Sequence, residues 1–264
     1  MNDQHQHLVF RCIQGFGNRL CNLMNMFYIH EKYPQSKIYL DWRKNNHCNI
    51  GIEDIIDITQ YKWILSSDEY YNIFFPKYRN IEMWASTSVN ERTKWDKIEE
   101  WNIHNHKCIV SVSFNIYEFV PKNYCINTFN SFIFKESIHT LVNDKIKKYG
   151  LEKNVIHIRN GDLIKILGTN GYENDIDKMM QKIDGIKNKN EIIEYNKLDV
   201  DRKYNDVLDS ISDLIFISKH CNLTGYSTYS HFSSWIFLLS KKYVGDTNKY
   251  PIFNSRIVDI ILLD

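Results

Sequence analysis

The sequence predicts an α/β protein made of two βα-repeating halves. Three features predict it. A short run of strand formers, His7 to Ile13 (HLVFRCI), leads into a glycine turn and then an amphipathic segment. The same order of strand, polar turn and helix restarts at Asn154. The chain has 264 residues with 43% hydrophobic content, enough for one large domain or two small ones, each with its own core.

The elements follow in order. After GFGN, residues Arg19 to Tyr33 carry Leu20, Leu23, Met24, Phe27 and Tyr28 at helical spacing, and Pro34 ends the helix. Lys37 to Trp42 (KIYLDW) is the next strand, which completes a βαβ start. Residues 44–105 hold short amphipathic pieces with few caps. Cys108 to Phe114 alternates as a strand does. Phe129 to Lys148 contains two helical pieces, the second from Ser137 to Tyr149, closed by Gly150 as a left-handed cap. In the second half, VIHIR from Val155 is a strand broken by NGD, and Ile164 to Leu167 is another. Asp175 to Ile183 is a helix and Glu191 to Tyr195 a weak strand. Tyr204 to Ile211 reads as a helix, Leu214 to Ser218 as a strand, and Tyr229 to Leu239 as a helix. The two halves divide as residues 1–149 and 150–264, with no Pro- or Gly-rich linker between them.

Composition excludes several classes of partner. Lys and Arg total 33 against 32 Asp and Glu, so no net positive charge points to nucleic acid. No apolar run is long enough to span a bilayer; Trp235 to Leu239 is the nearest and is far too short. The first twenty residues lack the basic start and apolar run of a signal peptide, which predicts a soluble, cytoplasmic chain. The six cysteines are scattered without a CxxC pair and read as reduced thiols. Aromatics at 14%, including 17 Tyr, suit a carbohydrate-handling surface and an ordinary core equally.

Three segments carry candidate chemistry. Gly15 to Leu20 (GFGNRL) lies between strand and helix, where glycine lets the backbone approach a ligand and free N–H groups face an anion. A dinucleotide-binding turn, with Asp41 as the ribose acid, is one reading, although Leu20 replaces the third glycine. A plain tight turn is another. His157 to Asp162 (HIRNGD) ends the strand that opens the second half. His157 and Arg159 share a face of that strand with Val155, and a forked guanidinium suits phosphate oxygens. The plainer alternative is a structural Arg159–Asp162 pair. Leu223 to Trp235 (LTGYSTYSHFSSW) again reads as strand, turn and helix. Ser227, Thr228 and nearby amides at a helix start would cradle a second anion, or simply cap the helix.

Together these segments resemble the GDP-fucose-dependent fucosyltransferase superfamily, the α-1,2-, α-1,6- and protein O-fucosyltransferases. That family shows a G-x-G-N-[QR]-hydrophobic turn, an H-[IVL]-R-x-[GT]-D strand end and a late S-[ST]-[FYQ] turn. Here these are Gly15 to Leu20, His157 to Asp162, and Ser227 to Tyr229. The resemblance implies a GT-B-like fold of two Rossmann-like α/β domains facing across a cleft. Residues 1–149 would be the acceptor side and 150–264 the nucleotide-sugar side. It implies an inverting transfer of fucose from GDP-fucose to a glycan hydroxyl, without a metal or other cofactor. Arg159 would contact the β-phosphate and stabilise the departing GDP. His157 would brace the phosphate or guanosine side. Ser227, Thr228 and Tyr229 would complete the pyrophosphate grip. Asn18, with the Gly15 and Gly17 backbone, would face the donor. Asp162 would orient Arg159 or the loop around it.

Two departures from the family stand out. Its members carry a later Thr-Asp whose acid reads guanine, and here the match is Thr169 followed by Asn170. Few residues separate Asp162 from Thr169, which points to a pared-down acceptor side. The base that takes the acceptor proton is open among Asp41, Glu173 and Asp162. Asn170 keeps another nucleotide-sugar donor open, and a non-catalytic nucleotide-sugar or glycan-binding module is the further alternative. The D-x-D pairs Asp175/Asp177 and Asp199/Asp201 lie in charge-mixed stretches that read as solvated surface. His104, His106 and Cys108, or His47 with Cys48, lack the second spaced pair of a zinc site.

Overall fold

The computed structural model of the chain describes residues 7–12, 14–68, 82–84, 107–110, 120–157, 177–178, 181, 184–185, 193–194, 204–227, 231–240 and 260–262. The chain divides into two compact units, Met1–Ile133 and Phe134–Asp264. Each holds a sheet of mainly parallel strands with helices packed on it.

The first unit opens with strand β1 (His7–Cys12), helix α1 (Phe16–Lys32) and strand β2 (Lys37–Trp42). Strands β3 (Ile64–Ser66), β4 (Glu82–Trp84) and β5 (Lys107–Val110) complete a parallel sheet in the order β3-β2-β1-β5-β4. β1 is central, and its Leu8, Val9 and Phe10 are fully buried, as a strand covered on both faces requires. α1 starts three residues earlier than the periodicity indicates, directly after Gly15, which offers no side-chain cap to mark the start. Tyr33 closes it ahead of Pro34, its N–H donating to the Ile29 carbonyl at 2.8 Å. The hard-to-read stretch after β2 contains two 3₁₀ turns, Ile52–Asp54 and Ile58–Gln60, where no helical period can develop. Helix α2 (Lys122–Ser131) packs on α1. An aromatic cluster seals this side: the Phe27 ring meets Tyr61, Trp63 and Phe132 at centroid distances of 4.9, 5.0 and 5.4 Å.

The second unit contains helix α3 (Glu136–Tyr149), strand β6 (Asn154–His157), strand β7 (Ile193–Glu194), helix α4 (Tyr204–His220), strand β8 (Asn222–Ser227), helix α5 (His231–Leu239) and strand β9 (Ile260–Leu262). The sheet order is β7-β6-β8-β9, parallel except for β9, which runs antiparallel to β8. α3 packs on α4, so the helix that the sequence puts at the end of the first half lies in the second unit. Gly150 closes α3 with φ +80°, a conformation other residues adopt only under strain.

One expectation fails clearly. Leu214 to Ser218 is not a strand but part of α4, a single helix of 17 residues. Residues 211–218 are all buried, and a helix buried on every side loses the polar stripe that marks its period. The neighbouring strand is β8, where the sequence also reads a strand from Leu223. Ser227 therefore ends a strand rather than starting a helix, and α5 begins at His231. The Ile164–Leu167 strand and most of the Asp175–Ile183 helix lie outside the described residues. Cys12, Cys21, Cys48, Cys125 and Cys221 are free thiols, all buried, as the scattered spacing implies.

A buried charge cluster joins α3 to α4. Lys145 Nζ lies 2.6 Å from both Asp209 Oδ1 and Asp213 Oδ1, and Asp213 is 3% exposed. Burial pulls the Lys145 pKa down, but Asp213 and then Asp209 outweigh it, so the ammonium sits above its ordinary value. A lysine raised in this way stabilises the fold fully below its unfolded pKa of about 10.4, and the effect fades as pH rises through the folded value. Lys145→Met leaves Asp213 buried without its cation, and should lower unfolding free energy by about 3 kcal/mol at pH 7. The gap between wild type and variant should narrow above about pH 10.4. Urea unfolding at pH 7 and at pH 11 checks both; a gap unchanged by pH would mean the ion pair is not its source.

Candidate functional site

Both sheets carry their candidate residues at the C-terminal ends of parallel strands, where open α/β sheets hold ligands. In the first unit, β1 runs into the turn at Gln14 and Gly15. Gly15 is extended (φ −62°, ψ 162°), and its carbonyl accepts from the Asn18 and Arg19 amides at 3.0 and 3.1 Å. That backbone is open to any residue, so a positive φ is not what demands glycine here. Gly17 is buried within the first turn of α1, which has no acidic residue to compete with a bound anion. Asn18 is half-buried. Its Nδ2 donates to Gln14 Oε1 at 2.6 Å, and its Oδ1 is buried with no hydrogen-bond partner among the described residues. An unsatisfied amide oxygen suits an O–H or N–H donor better than a phosphate oxygen.

Arg19, next in the chain, fills the [QR] position of the G-x-G-N-[QR] motif without a role assigned to it there, and it has no exposed surface at all. Its Nε donates to the Gln14 carbonyl at 2.5 Å, and its Nη2 donates to the Arg43 carbonyl at 2.7 Å and to Asn45 Oδ1 at 3.2 Å. The guanidinium carbon stands 5.0 Å from the centre of the Trp42 ring. Burial lowers its pKa, while Cys48, Cys12 and Asp41 pull the other way. An arginine remains charged despite such a shift. The turn after β1 and the loop after β2 are thereby tied together. The signal is present in the sequence: an arginine immediately after G-x-G-N, on the buried side of the helix.

Asp41 sits in a charge cluster. Its carboxylate is 3% exposed and accepts from Arg11 Nε at 3.0 Å and from Arg43 Nε at 2.9 and 3.1 Å. The β1–β2 register puts Arg11 opposite Asp41, so the pair is a cross-strand contact. Cys12, beside this cluster, has its thiol pKa pushed up to about 12 by burial, against the pull of Arg19 and Asn22.

In the second unit, His157 ends β6 and is buried. Its Nδ1 lies 2.6 Å from Ser233 Oγ of α5, and its ring centre 5.5 Å from that of Phe232. β6 and β8 are parallel neighbours with His157 opposite Tyr226, so His157 and Ser227 end adjacent strands on the same side of the sheet. A bulge at Val155/Ile156 skips Thr224, whose hydroxyl donates to the Val155 carbonyl at 3.3 Å.

Arg159, Asp162, Asn170, Glu173, Thr228 and Tyr229 lie outside the described residues, as do Asp175, Asp199, Asp201, His104 and His106. His47 is exposed while Cys48 is buried, so they do not face one site. Among the described residues, no group of three or more His, Cys, Asp or Glu could hold a metal ion, and no helix is long and apolar enough to cross a membrane.

These features define a two-unit α/β protein with polar motifs at the C-terminal edges of parallel strands. Comparison with solved structures gives that class known members. The chain is similar to NodZ α-1,6-fucosyltransferase co-crystallized with GDP, with a TM-score of 0.55 and 11% identity, over 89% of this chain and 93% of that one. It is similar to fucosyltransferase NodZ from Bradyrhizobium, with a TM-score of 0.52 and 11% identity, over 89% and 94%. A mutant of Arabidopsis thaliana FUT1 in complex with GDP gives 0.50 and 10% identity, over 89% of this chain and 69% of that one. At such identity the likeness is one of fold. No protein-family model matches the chain, and no curated protein matches it.

Removing the Arg19 guanidinium strips three acceptors of their donor. Arg19→Met should lower unfolding free energy by about 3 kcal/mol. Arg19→Lys should recover less than half of that, because one ammonium cannot reproduce the fork. Urea unfolding of the three proteins decides it; a lysine variant as stable as wild type would mean charge alone is required.

Proposed function

We propose that the chain is a glycosyltransferase that moves fucose from GDP-fucose to a glycan hydroxyl with inversion and without a metal. The observation that carries the reading is the β6–β8 register. It sets His157, the first residue of HIRNGD, opposite Tyr226, the neighbour of Ser227, on adjacent parallel strands. The fold shared with NodZ bound to GDP supports it. So does the buried His157, which is costly on an apolar strand unless held, and which Ser233 holds.

In this reading the acceptor oxygen attacks C1 of fucose from the face opposite GDP. The bond from C1 to the β-phosphate oxygen breaks, GDP leaves with the electron pair, and the acceptor proton passes to a base. Arg159, two residues beyond His157, supplies the fixed cation that meets the charge growing on GDP. His157 braces the strand end from which Arg159 extends. Ser227, Thr228 and Tyr229 complete the diphosphate grip. Gly15, Gly17 and Asn18 contribute from the first unit, which takes the acceptor. Asp162 orients the Arg159 loop. With Asp41 bound to two arginines, the base is sought elsewhere, Glu173 among the candidates.

Asn170 favours a second reading in which the donor carries another base, since an amide presents both a donor and an acceptor to the ring edge. Calorimetric titration with GDP, GDP-fucose and UDP-sugars, with and without EDTA, separates the two. GDP should bind in preference to UDP and independently of EDTA. Arg159→Ala should cut transfer by roughly 10²–10³-fold while the protein still folds. UDP preference would replace the donor, and near-wild-type turnover of the variant would remove Arg159 from the mechanism.

A further inference from the structure

The first unit contains a cavity of about 460 Å³ at the C-terminal ends of β2 and β3, within the roughly 300–1,000 Å³ of small-molecule sites. Its polar wall is made by Asp41, Arg43, Glu53, Ser66, Ser67 and Asp68. Leu40 and Ile52 add a small apolar floor. Of its lining residues, Asp41 is one that the sequence singles out.

The wall selects against a phosphate. Three carboxylates line it against one guanidinium, and Asp41 already engages Arg43 through both oxygens. A diphosphate placed here would meet the carboxylates of Glu53 and Asp68 with no unclaimed cation in the lining. A neutral ligand bearing hydroxyls fits better. Its O–H groups donate to Glu53 and Asp68, the two serine hydroxyls both donate and accept, and its C–H face lies on Leu40 and Ile52. The rim is preorganised. Arg19 Nη2 holds the Arg43 carbonyl, Asp41 holds the Arg43 Nε, and Asp54 Oδ2 accepts from the Gly51 amide at 3.1 Å. Glu53 lies 3.8 Å from Lys44 Nζ, at the limit of an ion pair, and is more than half exposed. Gly51 leaves room for the Glu53 carboxylate, since a Cβ at position 51 would run into it and force it away.

We infer that this cavity is a saccharide subsite, in which Glu53 and Asp68 accept hydrogen bonds from the hydroxyls of a neutral sugar that serves as acceptor. The inference rests on the glycosyltransferase reading for the sugar's role and on the wall chemistry for its class.

Saturation-transfer NMR on the full chain tests it, using lactose, cellobiose and N,N′-diacetylchitobiose, each with and without GDP and EDTA. At least one disaccharide should show saturable transfer that survives EDTA. Glu53→Gln combined with Asp68→Asn should weaken its binding about tenfold, the loss expected when two carboxylate acceptors become amides. Gly51→Ala keeps every charge and should weaken the same sugar several-fold by displacing the Glu53 carboxylate. Thermal melts establish that each variant is folded, and GDP affinity should be unchanged in both. No transfer from any of the three sugars, or equal binding by wild type and both variants, overturns the subsite. Transfer that EDTA abolishes overturns it too, because the carboxylates would then be serving a cation. Sugar binding without GDP binding would keep the subsite and remove the donor reading. GDP binding without sugar binding would do the reverse.

Discussion

The first unit depends on one buried guanidinium. Arg19 lies in the first turn of α1 with no exposed surface, where an unpaired cation would cost several kcal/mol. The cost is offset by acceptors from two different loops, the Gln14 carbonyl and the Arg43 carbonyl with Asn45 Oδ1, and by the face of Trp42. The consequences spread along the sheet edge. Asn45 Oδ1 also accepts from the His47 and Cys48 amides, so the residue that holds Arg19 shapes the next turn. Trp42 Nε1 donates to the Ile50 carbonyl at 2.8 Å, which fixes the chain as it enters the 3₁₀ turn at Ile52. Gln14, Arg19 and residues 42–50 thus form one hydrogen-bonded edge, next to the Arg11–Asp41–Arg43 cluster. A loop edge held in this way presents its ligand-facing groups without first having to order them.

The second unit solves the same problem by apolar packing. α4 is buried over residues 211–218, and α5 carries a fully buried Trp235, 0% exposed, from which little polar anchoring is available. Two polar contacts among the described residues tie its elements together. His157 meets Ser233, and Lys145 meets Asp209 and Asp213. The His157–Ser233 contact joins the end of β6 to the first turns of α5, so the strand end and the helix that follows β8 are set by one hydrogen bond. Its length of 2.6 Å leaves little freedom for the ring to turn.

What is legible in the sequence follows from how much each residue's neighbours in the chain determine it. β2 is legible to the residue because its run of strand formers and the bounding Pro34 are local. α1 is legible in its body but not at its start, since a helix that begins on glycine has no side-chain cap to announce it. Leu214–Ser218 reads wrongly as a strand because full burial erases the helical period, and the true strand beside it is broken by Thr224 and Gly225 at a bulge. The site divides in the same way. The turn after β1 and the ends of β6 and β8 carry polar residues that stand out against apolar runs. Arg19 and the β2–β3 cavity do not, because their meaning lies in partners 24 to 26 residues away, or in three short segments meeting in space. Asp41 shows the same limit. An acid at a strand end does not reveal its arginine partner until the cross-strand register puts Arg11 against it.

The chemistry of the two edges is itself an argument for transfer between unlike substrates. A diphosphate needs cations and amide N–H groups, and is repelled by nearby carboxylates. A sugar hydroxyl needs acceptors, and carboxylates are the strongest available. In this chain those requirements fall on different units. The arginine of HIRNGD and the Ser227 turn belong to the second, and the wall of Glu53, Asp68 and two serines belongs to the first. A simple nucleotide-binding module would have no use for the carboxylate wall. A simple lectin would have no use for a held histidine at the end of a buried strand. On the proposed reading, the carboxylate wall of the first unit would suit a neutral nucleophile, and the motifs of the second would suit an anionic leaving group.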